Sequence, residues 1–152
     1  MVGGAQAGEV RLKQRVLFDT NIVLDVLLNR EPWVGEAKLL WSAVDDERII
    51  GCIAATTVTN IFYIARRAKG IEDAYSAIAL CLDTFSICMV NGDILRRAMD
   101  GKTSLTADFE DAVQITCAVD AQVDAIVTRD KSGFQSSSIL SLTPGEFLDR
   151  LG

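Results

Sequence analysis

The chain has 152 residues, of which 49% are hydrophobic and 24% are charged, and its formal net charge is −6. This length fits one compact domain with a core that needs no disulfide or metal staple. The sequence contains no histidine, which excludes Ser-His-Asp and Cys-His catalysis and histidine-ligated zinc. Any catalysis must therefore use carboxylates, hydroxyls, amides, lysine or a metal ion held by oxygen.

The acidic balance argues against a nonspecific nucleic-acid coat, because phosphate binding relies on an excess of Lys and Arg. The acidic charge does not exclude nucleic acid as a substrate, because bound divalent cations reverse the electrostatic field locally. The four cysteines lie far apart in apolar runs and form no CxxC pair. We interpret them as buried free thiols in a reducing compartment.

Residues 1–14 are rich in Gly and Ala and then charged, and they lack the apolar segment of a signal peptide. They are predicted to form a flexible leader ahead of a single domain over residues 15–152. The most apolar stretch, residues 49–65, is interrupted by polar residues and is too short to span a membrane. We expect a soluble cytoplasmic protein without a membrane partner.

Short apolar runs alternate with helical patterns along the chain. Residues 15–18 predict a buried strand, and the cap-rich turn at 19–21 leads into a helix over 22–28. The next predicted elements are a helix over 33–47, a strand over 49–54, a helix that Thr56 or Thr57 caps and that runs to about Lys69, a helix over 71–84 and a strand over 85–90. Trp33, Trp41, Phe62 and Ile64 are interpreted as core residues.

The second half of the chain continues the alternation. Its predicted elements are a helix over 92–100, a polar loop over 102–107, a helix over 109–122 capped by Asp108, a strand over 124–128, a polar loop over 131–138, an edge strand over 139–142 and a helix over 144–151. Strand–helix alternation of this kind predicts an α/β fold with a parallel sheet and helices on both faces.

Three aspartates fall where ligands gather in open α/β sheets, beyond the carboxyl ends of the strands. Asp19 directly follows the first strand, Asp130 lies just after the fourth, and Asp111 is in the first turn of the helix that leads to the fourth. If strands one and four are neighbours, these carboxylates converge on one crevice. Several acids without histidine suit an oxygen-preferring cation, Mg²⁺ or Mn²⁺.

Each aspartate also has a purely structural interpretation. Asp19 can cap the following helix, Asp111 can interact with its helix dipole, and Asp130 can belong to the turn at 130–133. The joint placement of the three relative to strands one and four favours the functional interpretation.

The motifs around these aspartates resemble those of PIN-domain ribonucleases. Residues 16–21 read Val-Leu-Phe-Asp-Thr-Asn, residues 108–112 read Asp-Phe-Glu-Asp-Ala, and residues 126–130 read Ile-Val-Thr-Arg-Asp. The aspartates of the three motifs are separated by 92 and 19 residues. The resemblance covers most of the chain, and the three motifs in this order are more specific than Asp-Thr-Asn alone.

The resemblance implies a five-stranded parallel sheet of order 3-2-1-4-5 and an acidic pocket that binds Mg²⁺ or Mn²⁺. Asp19, Asp111 and Asp130 match the family's metal-ligand positions, and Asn21 and Thr128 match the polar neighbours of its metal site. Members of the family commonly cleave RNA, and many small bacterial ones are VapC-type toxins of toxin–antitoxin pairs. The implied partners are an RNA substrate, a second copy of the chain in a homodimer and an antitoxin protein.

One position departs from the family pattern. The helix after the second strand usually carries a further acid, whereas the matching residue here is Asn60. An amide can ligate a cation through its oxygen or hydrogen-bond a metal-bound water, but it brings no charge and accepts no proton. Activity is then weaker, uses Glu110 as a substitute acid, or is lost.

Basic residues that can contact an RNA backbone occur in clusters over 66–69, 96–102 and 129–131. Tyr63 and Arg67 share a polar stripe on one helix, which is either a solvated face or a substrate contact with Arg67 on phosphates and Tyr63 against a base. Arg129 is preferred as a substrate contact because it is adjacent to Asp130.

The reaction inferred from these residues is metal-dependent hydrolysis of RNA phosphodiester bonds. The main alternative is a catalytically silent PIN fold that acts as a binding or scaffold module, an interpretation that Asn60 favours and the three aspartates disfavour. A third interpretation is an aspartyl phosphotransferase with Asp19 as the nucleophile. It fits poorly, because residue 21 is Asn where such enzymes carry a second acid.

Overall fold

The computed structural model describes residues 12–101 and 108–152. Most of the predicted leader and the predicted polar loop over 102–107 lie outside the described residues. The strands are β1 (Arg15–Phe18), β2 (Ile50–Ala54), β3 (Ser86–Cys88), β4 (Ala125–Val127) and β5 (Leu140–Leu142). The helices are α1 (Thr20–Leu27), α2 (Val34–Asp45), α3 (Ala55–Lys69), α4 (Ile71–Thr84), α5 (Gly92–Asp100), α6 (Phe109–Asp120) and α7 (Pro144–Leu151), and a short 3₁₀ helix spans Lys131–Phe134.

The five strands form one parallel sheet of order β3-β2-β1-β4-β5, which confirms the order that the family resemblance implies. Leu17 in β1 pairs with Cys52 of β2 on one side and with Ile126 of β4 on the other. Strands one and four are therefore neighbours, and the direction of strand order reverses between them. In open α/β sheets this is the position where a ligand crevice forms.

The sheet separates two hydrophobic cores, because alternate side chains of β1 point to opposite faces. Val16 and Phe18 pack in a core shared with α1, α2 and α7, whereas Leu17 packs with residues of α5 and α6. Helices thus cover both faces, as the alternation of elements predicts. All four cysteines are buried free thiols, which confirms that part of their interpretation.

The predicted cap of α3 is wrong. This helix begins at Ala55 with extended Ala54 at the N-cap position, so neither Thr56 nor Thr57 caps it. Thr57 is instead buried inside the helix, where its hydroxyl oxygen lies 3.2 Å from that of Thr20 in α1. The contact joins the beginning of α3 to the beginning of α1.

One of the four predicted core residues is also misplaced. Trp41 is buried, and Phe62 and Ile64 are half-buried, but the Trp33 side chain is 42% exposed. The guanidinium of Arg129 lies 3.8 Å from the centroid of the Trp33 ring, so a cation rather than the apolar core covers it. Within the described residues, no helix combines the length and apolarity needed to cross a bilayer.

Candidate active site

A pocket of about 780 Å³ opens at the carboxyl ends of β1 and β4. Five acidic side chains line it: Asp19, Asp108, Glu110, Asp111 and Asp130. The other lining residues are Thr20, Asn21, Asn60, Ile64, Ser132, Gly133, Phe134 and Gln135. The structure therefore brings the three predicted aspartates into one pocket, and none of its described lining residues is basic.

Asp19 is held in place by three hydrogen bonds from three elements. As the N-cap of α1 it accepts a bond from the backbone N–H of Thr20 at 2.7 Å on Oδ1. Gln114 Nε2 donates to the same oxygen at 3.0 Å, and Thr128 Oγ1 donates to Oδ2 at 2.8 Å. Capping and a site role are thus compatible, because the capping carboxylate also faces the pocket.

Sequence reasoning missed Gln114. Its side chain in α6 is fully buried, between the core residues Val113 and Cys117. Nε2 bonds to Asp19, while Oε1 is buried with no hydrogen-bond partner among the described residues. The sequence signal for this role is a glutamine among the apolar positions of the predicted helix, because a buried side-chain amide needs a hydrogen-bond partner.

Asp111 is a partly buried carboxyl with several acidic neighbours. Burial, and then the charges of Asp19, Asp108, Glu110 and Asp130, raise the pKa of its carboxyl to about 6. The carboxylate also lies against the backbone of Gly133, where an added Cβ would collide with Oδ2 of Asp111. Sequence reasoning missed this role of Gly133, although a glycine in a turn beside a predicted site is a recognisable signal of close backbone approach.

Asp130 is fixed at the beginning of the 3₁₀ helix. Its Oδ1 accepts hydrogen bonds from the backbone N–H of Ser132 at 3.0 Å and from the Ser132 hydroxyl at 2.6 Å. These bonds lower the pKa of the exposed Asp130 carboxyl, because they stabilise its charged form. As with Asp19, a turn role and a position in the pocket occur together.

Three of the predicted accessory residues also line the pocket. Glu110 Oε1 accepts a hydrogen bond from Thr20 Oγ1 at 2.9 Å, and Asn21 Oδ1 accepts one from Arg30 at 3.2 Å. Asn60 contributes a neutral amide from α3. The fourth, Thr128, lies beneath the pocket, fully buried against Asp19.

The three predicted substrate-binding residues lie outside the pocket lining. Arg129 Nε is 3.0 Å from Oδ2 of the buried Asp25, so its charge is paired inside the protein. Tyr63 is 63% exposed on α3, with Phe62 against its ring, and Arg67 is exposed one helical turn further along. Direct contact between these side chains and RNA stays a prediction.

In the described part of the chain, no group of three or more Cys, Asp or Glu side chains stands in a metal-holding arrangement. The pocket nevertheless offers carboxylate oxygens from Asp19, Asp111 and Asp130 and amide oxygens from Asn21 and Asn60. These are the groups available to hold a cation.

A parallel sheet of this order with an acidic pocket at its switch point is the arrangement expected of a PIN domain. The sequence matches the PIN domain family over residues 15–132. Because the match covers well over half of the chain, the chain belongs to the PIN domain family. No match was found among curated proteins.

Solved structures share this fold. A toxin–antitoxin complex from Klebsiella pneumoniae contains a chain that is 23% identical, with a TM-score of 0.63 over 85% of this chain and 97% of that one. VapC20 from Mycobacterium tuberculosis, a sarcin–ricin loop cleaving toxin, is 15% identical with a TM-score of 0.66 over 78% and 92% of the two chains. VapBC2 from Rickettsia felis, bound to a DNA fragment from its promoter, gives 13% identity and a TM-score of 0.61 over 85% and 98%.

Proposed function

We propose that this chain is a Mg²⁺- or Mn²⁺-dependent endoribonuclease that hydrolyses RNA phosphodiester bonds in the acidic pocket. The observation that carries the proposal is the convergence of Asp19, Asp111 and Asp130 in one pocket at the carboxyl ends of β1 and β4. The family membership and the fold shared with VapC20, a sarcin–ricin loop cleaving toxin, support the same reaction class.

The composition of the pocket fits a hard divalent cation. Its available ligands are carboxylate and amide oxygens. Mg²⁺ prefers oxygen, keeps several of its waters, and is usually bound by one or two carboxylates together with substrate phosphates. Burial and then the repulsion of neighbouring carboxylates raise the pKa of Asp111, and a bound cation would offset that repulsion. The proposed ligands are Asp19, Asp111 and Asp130.

A bound cation would lower the pKa of a coordinated water and stabilise charge on the scissile phosphate. The chain's own contribution is to hold the carboxylates in fixed positions. Thr128 and Gln114 orient Asp19, and Ser132 orients Asp130. Glu110, tethered by Thr20, supplies a further negative charge on the pocket wall where the family's usual acid is replaced by Asn60.

The proposal is tested by incubating the purified chain with a mixed single-stranded RNA pool and Mg²⁺, Mn²⁺ or EDTA. We expect metal-dependent cleavage that Asp19→Asn abolishes. Asp149→Asn is the matched control, because it removes the same charge from an exposed position on α7, and it should cleave like the wild type. Cleavage in EDTA, or unchanged cleavage by Asp19→Asn, would contradict the proposal.

A catalytically silent binding module is the second candidate, because the Asn60 amide occupies the pocket without charge. Asn60→Asp separates the two. An active enzyme should bind Mn²⁺ more tightly after this change, since carboxylates attract the ion more strongly than amides do. Thr59→Asp adds the same charge to the exposed face of α3 and should have no such effect. A wild-type chain that neither binds Mn²⁺ nor cleaves RNA, with cleavage appearing in Asn60→Asp, would establish the silent module.

The fold shared with toxin–antitoxin proteins also supports a role as a cytoplasmic toxin that pairs with an antitoxin and with a second copy of itself. Apolar side chains that are exposed on or beside β3, α5 and α6 support pairing with another protein chain. They are Ile87, Met89, Leu95, Met99 and Val119. Sedimentation should give twice the 16.5 kDa chain mass. Induced expression should arrest growth of the host, and expression of Asp19→Asn should not.

A further inference from the structure

A fully buried carboxylate, Asp25, lies in α1 outside the acidic pocket. Its side chain is 0% exposed, and its Oδ2 and Oδ1 are 3.0 and 3.8 Å from the guanidinium nitrogens of Arg129 and Arg30. Charges are removed from water at a high cost unless they are paired. The two arginines pair with Asp25 by charge at these distances, while both Asp25 carboxylate oxygens and Arg129 Nε have no hydrogen-bond partner among the described residues. Asp25 and its partners therefore form one electrostatic unit, which we call the buried clamp.

Each arginine of the buried clamp connects Asp25 to a residue that lines the acidic pocket. Arg30 donates a 3.2 Å hydrogen bond to Oδ1 of Asn21. Arg129 precedes Asp130 directly in the chain. The clamp therefore reaches both the α1 side and the β4 side of the pocket.

The geometry of Arg129 is fixed on two sides. Its Nε lies 3.0 Å from Oδ2 of Asp25 as an ion pair without a hydrogen bond, and its guanidinium lies 3.8 Å from the centroid of the Trp33 ring. Cation–π stacking and the ion pair both restrict the guanidinium, and a planar, stacked group is not interchangeable with the ammonium of lysine. Arg129 is thereby held away from the pocket lining although its neighbour Asp130 is part of it.

We propose that Asp25 is a positioning residue for the acidic pocket, acting through Arg129 on Asp130 and through Arg30 on Asn21. The clamp has a second effect, because it keeps two guanidinium groups from competing with a cation for the pocket carboxylates. This inference rests on the proposed function for its metal-binding consequence, but its structural consequence is independent of metal.

The structural consequence is tested by ¹H–¹⁵N NMR of the metal-free protein. Asp25→Asn keeps the shape of the side chain and removes its charge, and Arg129→Lys keeps the charge but loses the stacking plane. Asp25→Asn should shift the backbone amide signals of Asp130 and Ser132 and the side-chain amide of Asn21. Arg129→Lys changes the residue next to Asp130, whose amide shifts in any case, so this variant is judged by the Ser132 signal. Arg97→Lys is the matched control on the α5–α6 surface, where Arg97 pairs with Asp93 and Asp120, and it should leave these signals in place. Unmoved pocket signals in the clamp variants would overturn the proposal.

The functional consequence is measured by titrating Mn²⁺ into the same proteins by calorimetry. Residues that orient metal ligands typically affect metal affinity by roughly 10–100-fold, and we expect a loss in this range for both clamp variants and none for Arg97→Lys. If Asp25→Asn does not fold, Arg129→Lys carries both measurements. If the wild type binds no Mn²⁺ while the pocket signals still move, the metal proposal fails and the positioning role stands.

A direct contact between Arg129 and RNA is the competing interpretation, and it predicts a different pattern. Asp25→Asn would then release Arg129 toward the substrate and leave Mn²⁺ affinity unchanged. The neutral variant Arg129→Gln would also reduce the slope of log affinity for RNA against log salt concentration by about one. That pair of results would overturn the positioning role.

Discussion

Thr128 Oγ1 donates a 2.8 Å hydrogen bond to Oδ2 of Asp19, which joins the end of β4 to the end of β1. The two residues are 109 positions apart in the chain, and the bond forms because their strands are neighbours. The same hydroxyl lies 3.2 Å from the backbone N–H nitrogen of Asp130. One buried threonine thus contacts two of the three aspartates of the pocket.

Thr128→Val should weaken both stability and metal binding. The valine keeps the shape but leaves Asp19 Oδ2 without its donor, and a hydrogen bond to a charged group contributes about 1.5–3 kcal/mol. We expect a loss of that order in the free energy of unfolding from urea titration, and about a tenfold loss of Mn²⁺ affinity. Thr128→Ser retains the donor and is the control. Equal Mn²⁺ affinity in the Val and Ser variants would show that the hydroxyl does not orient Asp19.

Gln114→Leu should separate stability from activity. The amide orients Asp19 through Nε2, but its Oε1 is buried without a partner in the described structure, and an unpaired buried polar atom is unfavourable. Leucine removes both groups, so the free energy of unfolding should change by less than about 1 kcal/mol while RNA cleavage falls at least tenfold. Calorimetric unfolding and initial cleavage rates measure the two effects. Cleavage by this variant at the wild-type rate would show that Gln114 does not contribute to the reaction.

Gly133→Ala should displace Asp111. The added Cβ would collide with Oδ2 of the Asp111 carboxylate, so either the 3₁₀ turn or the aspartate must move. We expect weaker Mn²⁺ binding and slower cleavage. Gly35→Ala in α2, where an added Cβ meets nothing within 4 Å, is the matched control and should slightly stabilise the protein. Unchanged cleavage by Gly133→Ala would show that the position of Asp111 is not critical.

The stability of the metal-free protein should decrease with rising pH in the range where Asp111 titrates. Burial and neighbouring charges raise the pKa of Asp111 from 3.8 to about 6, so the folded state binds more protons than the unfolded state between these values. Ionisation of Asp111 therefore lowers the free energy of unfolding as pH rises through that window, and the loss is complete above about pH 6.

Comparison with Asp111→Asn isolates this contribution. Unfolding free energies measured in EDTA at several pH values should show the wild type losing stability relative to the variant between pH 4 and 6. Mn²⁺ at pH 7 should reverse the difference, because the charged carboxylate then has a counter-ion. A pH-independent difference would mean that Asp111 is not electrostatically strained.

Most of the fold follows from local sequence patterns. Apolar runs bounded by turn residues predict β1 at its observed residues and β4 to within one residue at each end, because the buried positions of both strands are apolar. Thr56 and Thr57 were misassigned as caps, since Ala54 already has the extended conformation of an N-cap and the chain becomes helical directly after it. A tertiary contact, Thr57 against Thr20, accounts for the threonine inside the helix.

The positions of Asp19 and Asp130 in the pocket were predictable, because each residue also has a local structural role, as the N-cap of α1 and of the 3₁₀ helix. Arg129 shows the limit of arguments from proximity in the chain. Successive side chains in an extended segment point to opposite sides, so a residue between Thr128 and Asp130 is expected to face away from the surface that they share. Its partner Asp25 is distant in sequence, and only the folded structure reveals the pairing.

The most direct measurement is a crystal structure with Mn²⁺, located by its anomalous scattering. We predict a manganese peak in the pocket between β1 and β4, bonded to carboxylate oxygens of at least two of Asp19, Asp111 and Asp130. The peak should be lost in crystals of Asp19→Asn grown in the same solution. A pocket that stays free of manganese at millimolar Mn²⁺, or an ion bound only elsewhere, would contradict the metal-dependent mechanism.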